Sequence, residues 1–251
     1  MFINERANAI IDYLRIHKKA TIGELAEHLY ASESTVRRDL AEMQSVGLIA
    51  RYHGGAILLD GNGEVSIFAR AERDAASKDA CTELAIKKLD GLIGYNTIFI
   101  DNSSTCLALA KKLDFAKKTV ITNGLQIALA LSQKPSIQLI LLGGIVNPST
   151  SAITGSLAIR TLEDLSIDLM LSSCAGIKED GTYELSLETA QLKQVALVNS
   201  KQKALLVTDK KFGADGSYRV SVLGEYDYII TDAADQKIAP YSAAGVKIFN
   251  S

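Results

Sequence analysis

A chain of 251 residues is long enough to fold as two domains, or as one large one, around a sizeable core. Its composition, 47% hydrophobic and 22% charged with three prolines and no tryptophan, is that of an ordinary soluble protein. A formal net charge of -2 argues against a protein that coats nucleic acid nonspecifically, but leaves room for a site-specific binder with a local basic patch. Three widely spaced cysteines, Cys81, Cys106 and Cys174, read as reduced, packed thiols. The N-terminus lacks the parts of a signal peptide, and no apolar run approaches the roughly 20 residues that span a bilayer, so a cytoplasmic location is expected.

From Asn4 to His17, Ala7, Ile10, Ile11 and Leu14 recur at helical spacing, predicting an amphipathic helix that Lys18 and Lys19 close. Thr21-Ile22-Gly23-Glu24 then matches a capping box opening a second helix with Ile22, Leu25, Ala26 and Leu29 on one face. Tyr30-Ala31-Ser32 is a short turn into a third helix, in which Val36, Leu40 and Met43 form an i, i+4, i+7 apolar row. Ser32 is placed to cap it, Arg37 and Arg38 flank the row, and Gly47 is placed to end it. A helix that packs by one face and offers paired arginines near its start suits the DNA major groove. Leu48 to Leu58 is two β-prone runs around Gly54-Gly55, a hairpin that carries Arg51 and His53. Three helices and a hairpin describe a winged helix-turn-helix.

Residues 1–58 hold seven basic and seven acidic side chains, so position rather than total charge favours DNA: Arg37, Arg38 and Arg51 fall on the expected reading surface. A small helical docking module is the bland alternative. Glu24-Leu25-Ala26, Ser32, Thr35-Val36-Arg37-Arg38-Asp39-Leu40, Gly47, Arg51 and His53-Gly54-Gly55-Ala56 together resemble the DeoR family of bacterial transcriptional regulators. The resemblance implies a DNA-binding set of Ser32, Ser34, Thr35, Arg37, Arg38, Arg51 and His53, with Asp39 orienting an arginine or a helix end rather than reading a base.

Leu59 to Glu64 has linker chemistry. A charged, alanine-rich helix is expected over about Phe68 to Leu89. Apolar strand-like runs follow at Thr97–Ile100, Thr119–Thr122, Ile137–Leu142, Asp168–Leu171, Lys203–Val207, Tyr228–Thr231 and Val246–Phe249, separated by helical stretches. This alternation predicts an α/β domain with a mostly parallel sheet covered on both faces. The expected boundaries are 1–58 for the winged helix-turn-helix, 59–67 for the linker and 68–251 for the α/β domain.

Ligands in open α/β sheets bind beyond the carboxyl ends of the strands. Three such ends are polar or glycine-rich here: Asp101-Asn102-Ser103-Ser104-Thr105 before a helix, Thr122-Asn123-Gly124, and Gly143-Gly144. Hydroxyls and free amides at a helix N-terminus suit phosphate, although Ser103 or Ser104 can equally be a simple cap. DeoR-type sensor domains resemble ribose-5-phosphate isomerase. By that resemblance Ser103, Ser104 and Thr105 hold a phosphate and Asp101 accepts from sugar hydroxyls. Lys193 adds positive charge, while Thr122, Asn123, Gly143 and Gly144 line the site. The segment Val207–Gly213 only approximates the family's pattern, which leaves Asp209 and Lys211 unplaced.

His17, His28 and His53 lie at no metal-ligand spacing, so no metal is expected, and no cofactor motif is complete. The reading is a repressor of a carbohydrate-utilisation operon, not an enzyme. Its partners are operator DNA and a phosphorylated sugar, and it acts as a homodimer or homotetramer. The competing reading is a sugar-phosphate isomerase with an accessory docking domain, working through Asp101, Glu188 and Lys193.

Overall fold

The computed structural model describes residues 2–17, 19–45, 48–52, 54–58, 67–72, 74–89 and 93–250. Gly47, His53 and the expected linker residues 59–66 lie outside these. The chain divides into two compact units, Met1–Arg73 with Pro148–Thr150, and Asp74–Asn147 with Ser151–Ser251. No helix among the described residues is long and apolar enough to cross a membrane.

The first unit runs α1 (Phe2–His17), β1 (Lys19–Thr21), α2 (Ile22–His28), α3 (Glu33–Ser45), β2 (Ile49–Tyr52), β3 (Gly55–Leu58) and α4 (Ile67–Glu72). Ile10, Leu14, Leu25, Val36, Leu40, Met43 and Ile49 form its core, which is where the periodic apolar positions of the three helices point. Thr21 and Glu24 make the reciprocal capping box at the start of α2. Ser32 Oγ accepts from the Thr35 amide at 3.2 Å and so caps α3. One element departs from expectation: instead of a helix end, Lys19–Thr21 forms a strand paired with β3, giving the sheet order β1-β3-β2. Three residues are too few for alternation to show in the sequence; what holds them is buried Ala20 and the pairing itself.

Asp39 is 1% exposed, and Arg6 of α1 donates to both of its oxygens, from Nε at 2.8 Å and from Nη2 at 3.2 Å. This fork-to-carboxylate geometry ties the first helix to the third and makes Asp39 an orienting residue.

The second unit begins with α5 (Ala75–Lys88), separated from α4 by Asp74 in a left-handed conformation where one continuous helix was expected. It continues through β4 (Thr97–Ile100), α6 (Ser104–Lys112), β5 (Thr119–Thr122), α7 (Leu125–Ser132), β6 (Gln138–Leu141), β7 (Ile145–Asn147), β8 (Ala152–Thr154) and α8 (Ser156–Glu163). Then come β9 (Ile167–Ser172), β10 (Gly176–Lys178), β11 (Gly181–Glu184), α9 (Leu187–Val198), β12 (Ser200–Val207), β13 (Tyr218–Ser221), β14 (Tyr228–Thr231), α10 (Asp235–Ile238) and β15 (Lys247–Asn250). Seven strands make one parallel sheet in the order β15-β14-β12-β9-β4-β5-β6. Its central strands are fully buried, as the apolar runs at Ile98–Ile100 and Leu169–Leu171 require. Two smaller antiparallel sheets, β7-β8 and β10-β11-β13, went unpredicted, their strands being three or four residues long. The parallel sheet brings the ends of β4, β5 and β9 together, and the polar residues that follow them make the site.

Removing the Asp39 carboxylate tests the α1–α3 tie. Asp39→Ala should lower the melting midpoint of the N-terminal unit by several degrees in calorimetry while leaving the transition of the α/β unit in place; an unmoved N-terminal transition would show the tie to be dispensable.

Candidate functional site

Asp101 follows β4 and is wholly buried. Its Oδ1 accepts from the Ser103 amide at 2.9 Å. Its Oδ2 accepts from Ser172 Oγ at 2.6 Å, the Ser173 amide at 3.0 Å and Lys193 Nζ at 2.7 Å. Lys193, on α9, spends its other two ammonium protons on Glu184 Oε1 at 2.5 Å and the Ser173 carbonyl at 2.6 Å. Burial by itself would push the Asp101 carboxyl up, but the Lys193 charge and the hydrogen bonds to Asp101 outweigh it and hold the group well below the usual carboxylate range. Burial likewise works to lower Lys193, and the charges of Asp101 and Glu184 overcome it, raising the ammonium above its ordinary value. In this structure both residues expected to face the ligand are therefore engaged within the chain.

The carboxylate beside Lys193 is Glu184, not the Glu188 of the competing isomerase reading. Glu188 lies five residues before Lys193 on α9, which turns it about 140° around the helix. It is exposed and accepts from Ser186 Oγ. Glu184 arrives from β11 in the second small sheet, and nothing in the local sequence marks that approach.

Beside this cluster, α6 starts with an open N-terminus. Ser103 is its cap, accepting from the Cys106 amide at 3.1 Å, and the Leu107 amide begins the helical ladder at the Ser103 carbonyl. The amides of Ser104 and Thr105 precede that first bond. Thr105 is fully buried, and its hydroxyl has no hydrogen-bond partner among the described residues. The Ser104 side chain also makes no hydrogen bond among them. Lys211, half-buried, reaches Ser173 Oγ at 2.7 Å, while Asp209 turns to Lys237 at 2.8 Å. Lys211 thus joins the cluster and Asp209 does not. Ser172, Ser173 and Glu184 are the residues that the sequence reading missed, whereas Lys211 is named there without a place; of the three, only the serines, at a strand end, carried a signal that could have found them.

At the end of β5, Thr122 Oγ1 donates to the Ile100 carbonyl at 2.7 Å and accepts from the Gly124 amide at 3.0 Å. Asn123 Oδ1 accepts from the Asn102 amide at 3.1 Å, and Nδ2 donates to the Ile153 carbonyl at 3.2 Å. These two residues clip the 101–105 loop to its neighbours. Gly143 and Gly144 lie at the exposed end of β6. A Cβ on Gly144, whose φ is +149°, would stand 2.4 Å from the Thr154 carbonyl oxygen, so close chain packing already accounts for that glycine.

In the first unit, Ser32, Ser34, Arg37, Arg38 and Arg51 are exposed and Thr35 is half-buried. Arg37 is held by Glu33 one turn earlier at 2.8 Å, and Ser32 Oγ lies 2.8 Å from Ser34 Oγ and 2.9 Å from Thr35 Oγ1. Tyr30, in a left-handed turn before α3, is 99% exposed.

Two family models match the chain. The one described as the DeoR-like helix-turn-helix domain covers residues 6–61, and the one described as the DeoR C terminal sensor domain covers residues 76–233. The chain belongs to the DeoR family of transcriptional regulators. It is 34% identical to the HTH-type transcriptional regulator GolR of Listeria innocua serovar 6a, over 92% of this chain and 91% of that one. It is 32% identical to the HTH-type transcriptional repressor GlcR of Bacillus subtilis, over 92% and 89%. With the glycerol-3-phosphate regulon repressor of Escherichia coli it shares 28% identity over 91% and 90%. Among solved structures, ribose 5 phosphate isomerase A from Neisseria gonorrhoeae aligns over 54% of each chain at 13% identity, with a TM-score of 0.34.

The buried charges of the sensor domain set a stability window. The Asp101 contribution is present above the unfolded carboxyl range near about pH 4 and is lost as pH falls below it. The Lys193 contribution is present below about pH 10 and is lost as pH rises beyond it. Wild-type stability should therefore be flat in this cluster's terms across neutral pH. Lys193→Met should cost about 3–5 kcal/mol by leaving buried carboxylates unpaired, and should make stability fall as pH rises through neutrality. Denaturant melts at several pH values check both; a small, pH-independent loss would contradict the assigned pairing.

Proposed function

We propose that this DeoR-family protein is a cytoplasmic repressor of a carbohydrate-utilisation operon, released from or held on its operator by a phosphorylated sugar bound at the ends of β4, β5 and β9. The observation that carries the ligand reading is the Thr105 hydroxyl, buried and without a partner among the described residues at the open N-terminus of α6. A buried polar group left unsatisfied costs about 1–3 kcal/mol, which a ligand oxygen would offset. Free amides, the helix dipole and nearby hydroxyls all favour an anion there. Two relatives support it: one is a glycerol-3-phosphate regulon repressor and another a lactose phosphotransferase system repressor.

Within this reading, charge for the phosphate comes from Lys211 rather than Lys193. Lys193 is offset by two carboxylates and gives all three protons to the chain, whereas Lys211 touches only a serine hydroxyl among the bonds of the cluster. Asp101 and Lys193 act as positioning residues that set the loop 101–105 and the Ser172-Ser173 turn. The isomerase alternative asks for a carboxylate free to take a substrate proton, and Asp101 is saturated by four donors. Ligand changes DNA affinity through its different affinities for the DNA-competent and incompetent states.

For the operator side, the exposed α3 arginines are the base-reading candidates and Arg51 a backbone contact. Arg38→Ala should weaken binding to the specific site by about 1–3 kcal/mol, roughly ten- to a hundredfold, and leave scrambled DNA nearly unaffected. Equal loss on both sequences in a gel shift would reassign Arg38 to the backbone. For the effector side, Ser104→Asp should keep operator affinity and abolish the response to a panel of sugar phosphates, and Lys211→Met should weaken it at least about tenfold. A Ser104→Asp protein that responds like wild type would remove the 101–105 loop from the anion site.

A further inference from the structure

From Thr119 to Ile159 the sequence holds one charged side chain, Lys134, in a chain that is 22% charged. That lysine is turned inward, donating to the Ala110 carbonyl at 2.8 Å and the Leu113 carbonyl at 2.5 Å. The uncharged segment builds one end of the parallel sheet: β5, α7, the terminal strand β6, the β7-β8 hairpin and the start of α8. Much of it is apolar and faces out. Ile145 is 73% exposed, Leu157 58%, Val146 43% and Leu141 40%. Leu157 lies beside the end of β6 and Ile145 beside the start of α8, for a Cβ on Gly143 would lie 3.3 Å from Leu157 and one on Gly155 would lie 3.7 Å from Ile145.

Strand β6 adds a second feature. The Gln138 amide donates to Lys118 O and the Leu142 amide to Thr122 O, so alternate residues serve β5. By that alternation the amides and carbonyls of Leu139 and Leu141 point away from the sheet, where no strand pairs with them among the described residues. Open edges are normally blunted by charge, proline or a covering element. The opposite edge is so treated. On β15, Lys247 is exposed, Asn250 is bonded to Ala233 and Asp235, and Lys88 lies 4.7 Å over the Phe249 ring. Strand β6 has none of these guards.

We propose that this face binds a second copy of the same chain, with β6 pairing antiparallel to its counterpart about a two-fold axis and the hairpin and α8 residues packing beside it. Two properties select a copy over an unlike partner. An open strand edge is self-complementary, since another β6 supplies the donors and acceptors that Leu139 and Leu141 lack. A two-fold contact also sets residues near the axis against their own copies, where any charge would repel itself, and strand β6 with the β7-β8 hairpin carries no charged side chain. The pairing joins two sensor sheets into one of fourteen strands, twice the seven of each copy. It goes beyond the operator and effector reading and does not depend on it.

The test uses the full chain without DNA or sugar phosphate. At micromolar concentration, wild type should sediment as a dimer or a multiple of one. Leu141→Lys/Ile145→Lys should sediment as a species of half that mass with an unchanged circular dichroism spectrum. The Leu139 and Leu141 amides of wild type should be protected from hydrogen exchange and lose that protection on dilution, a measurement that needs no variant to fold. A monomeric wild type, an assembled double variant, or unprotected amides in the assembled protein would each overturn the interface while leaving the operator and effector reading standing.

Discussion

Asp101 sits at the carboxyl end of a central strand with no exposure to water, and its charge is tolerated there because Lys193 reaches it from α9 while the Ser172 hydroxyl and the amides of Ser103 and Ser173 complete its shell. Removing two ions from water is costly, so such a pair persists only when geometry and hydrogen bonds are near complete. Completeness is what this cluster has: three acceptors for three ammonium protons, and four donors for one carboxylate. The positions of the loop after β4, the turn after β9 and the strand β11 all follow from it.

That arrangement separates two tasks which the types of residue alone would merge. Lysine and aspartate at such strand ends suggest direct ligand contacts, yet here they hold the walls, and what stays open is the N-terminus of α6 with Ser104, Thr105 and, nearby, Lys211. In the proposed reading, precise placement of an anion site by a rigid surround is worth more than another flexible charge, because ordering it beforehand removes an entropic cost at binding. The same logic applies in the DNA-reading unit. Its total charge is balanced, and buried Asp39 uses one arginine, Arg6, to dock helices while Arg38 and Arg51 stay exposed.

Much of the architecture was legible in the sequence because it rests on periodicity and local chemistry. The i, i+4, i+7 row of α3, the capping box at Thr21, and four-residue apolar runs such as Thr97–Ile100 each specify their element within a few neighbouring residues. Strand β1, the break at Asp74 and the two small sheets were not legible. They depend on a short pairing, on one left-handed residue and on hairpins whose partners lie elsewhere in the chain.

By itself, then, the sequence determined the family, the order of the reading-head helices and of the parallel strands, and the strand ends at which the polar residues gather, since these follow from motifs and from the rule that parallel strands point their carboxyl ends the same way. Only the tertiary structure decided what each polar group does there. Glu184 rather than Glu188 meets Lys193 because a helix turns its side chains about 100° per residue while a distant hairpin can deliver a carboxylate from the far side. Lys211 enters the cluster and Asp209 leaves it for the same kind of reason. Whether a buried charge is free or satisfied depends on neighbours distant in sequence, and a list of residues cannot report them.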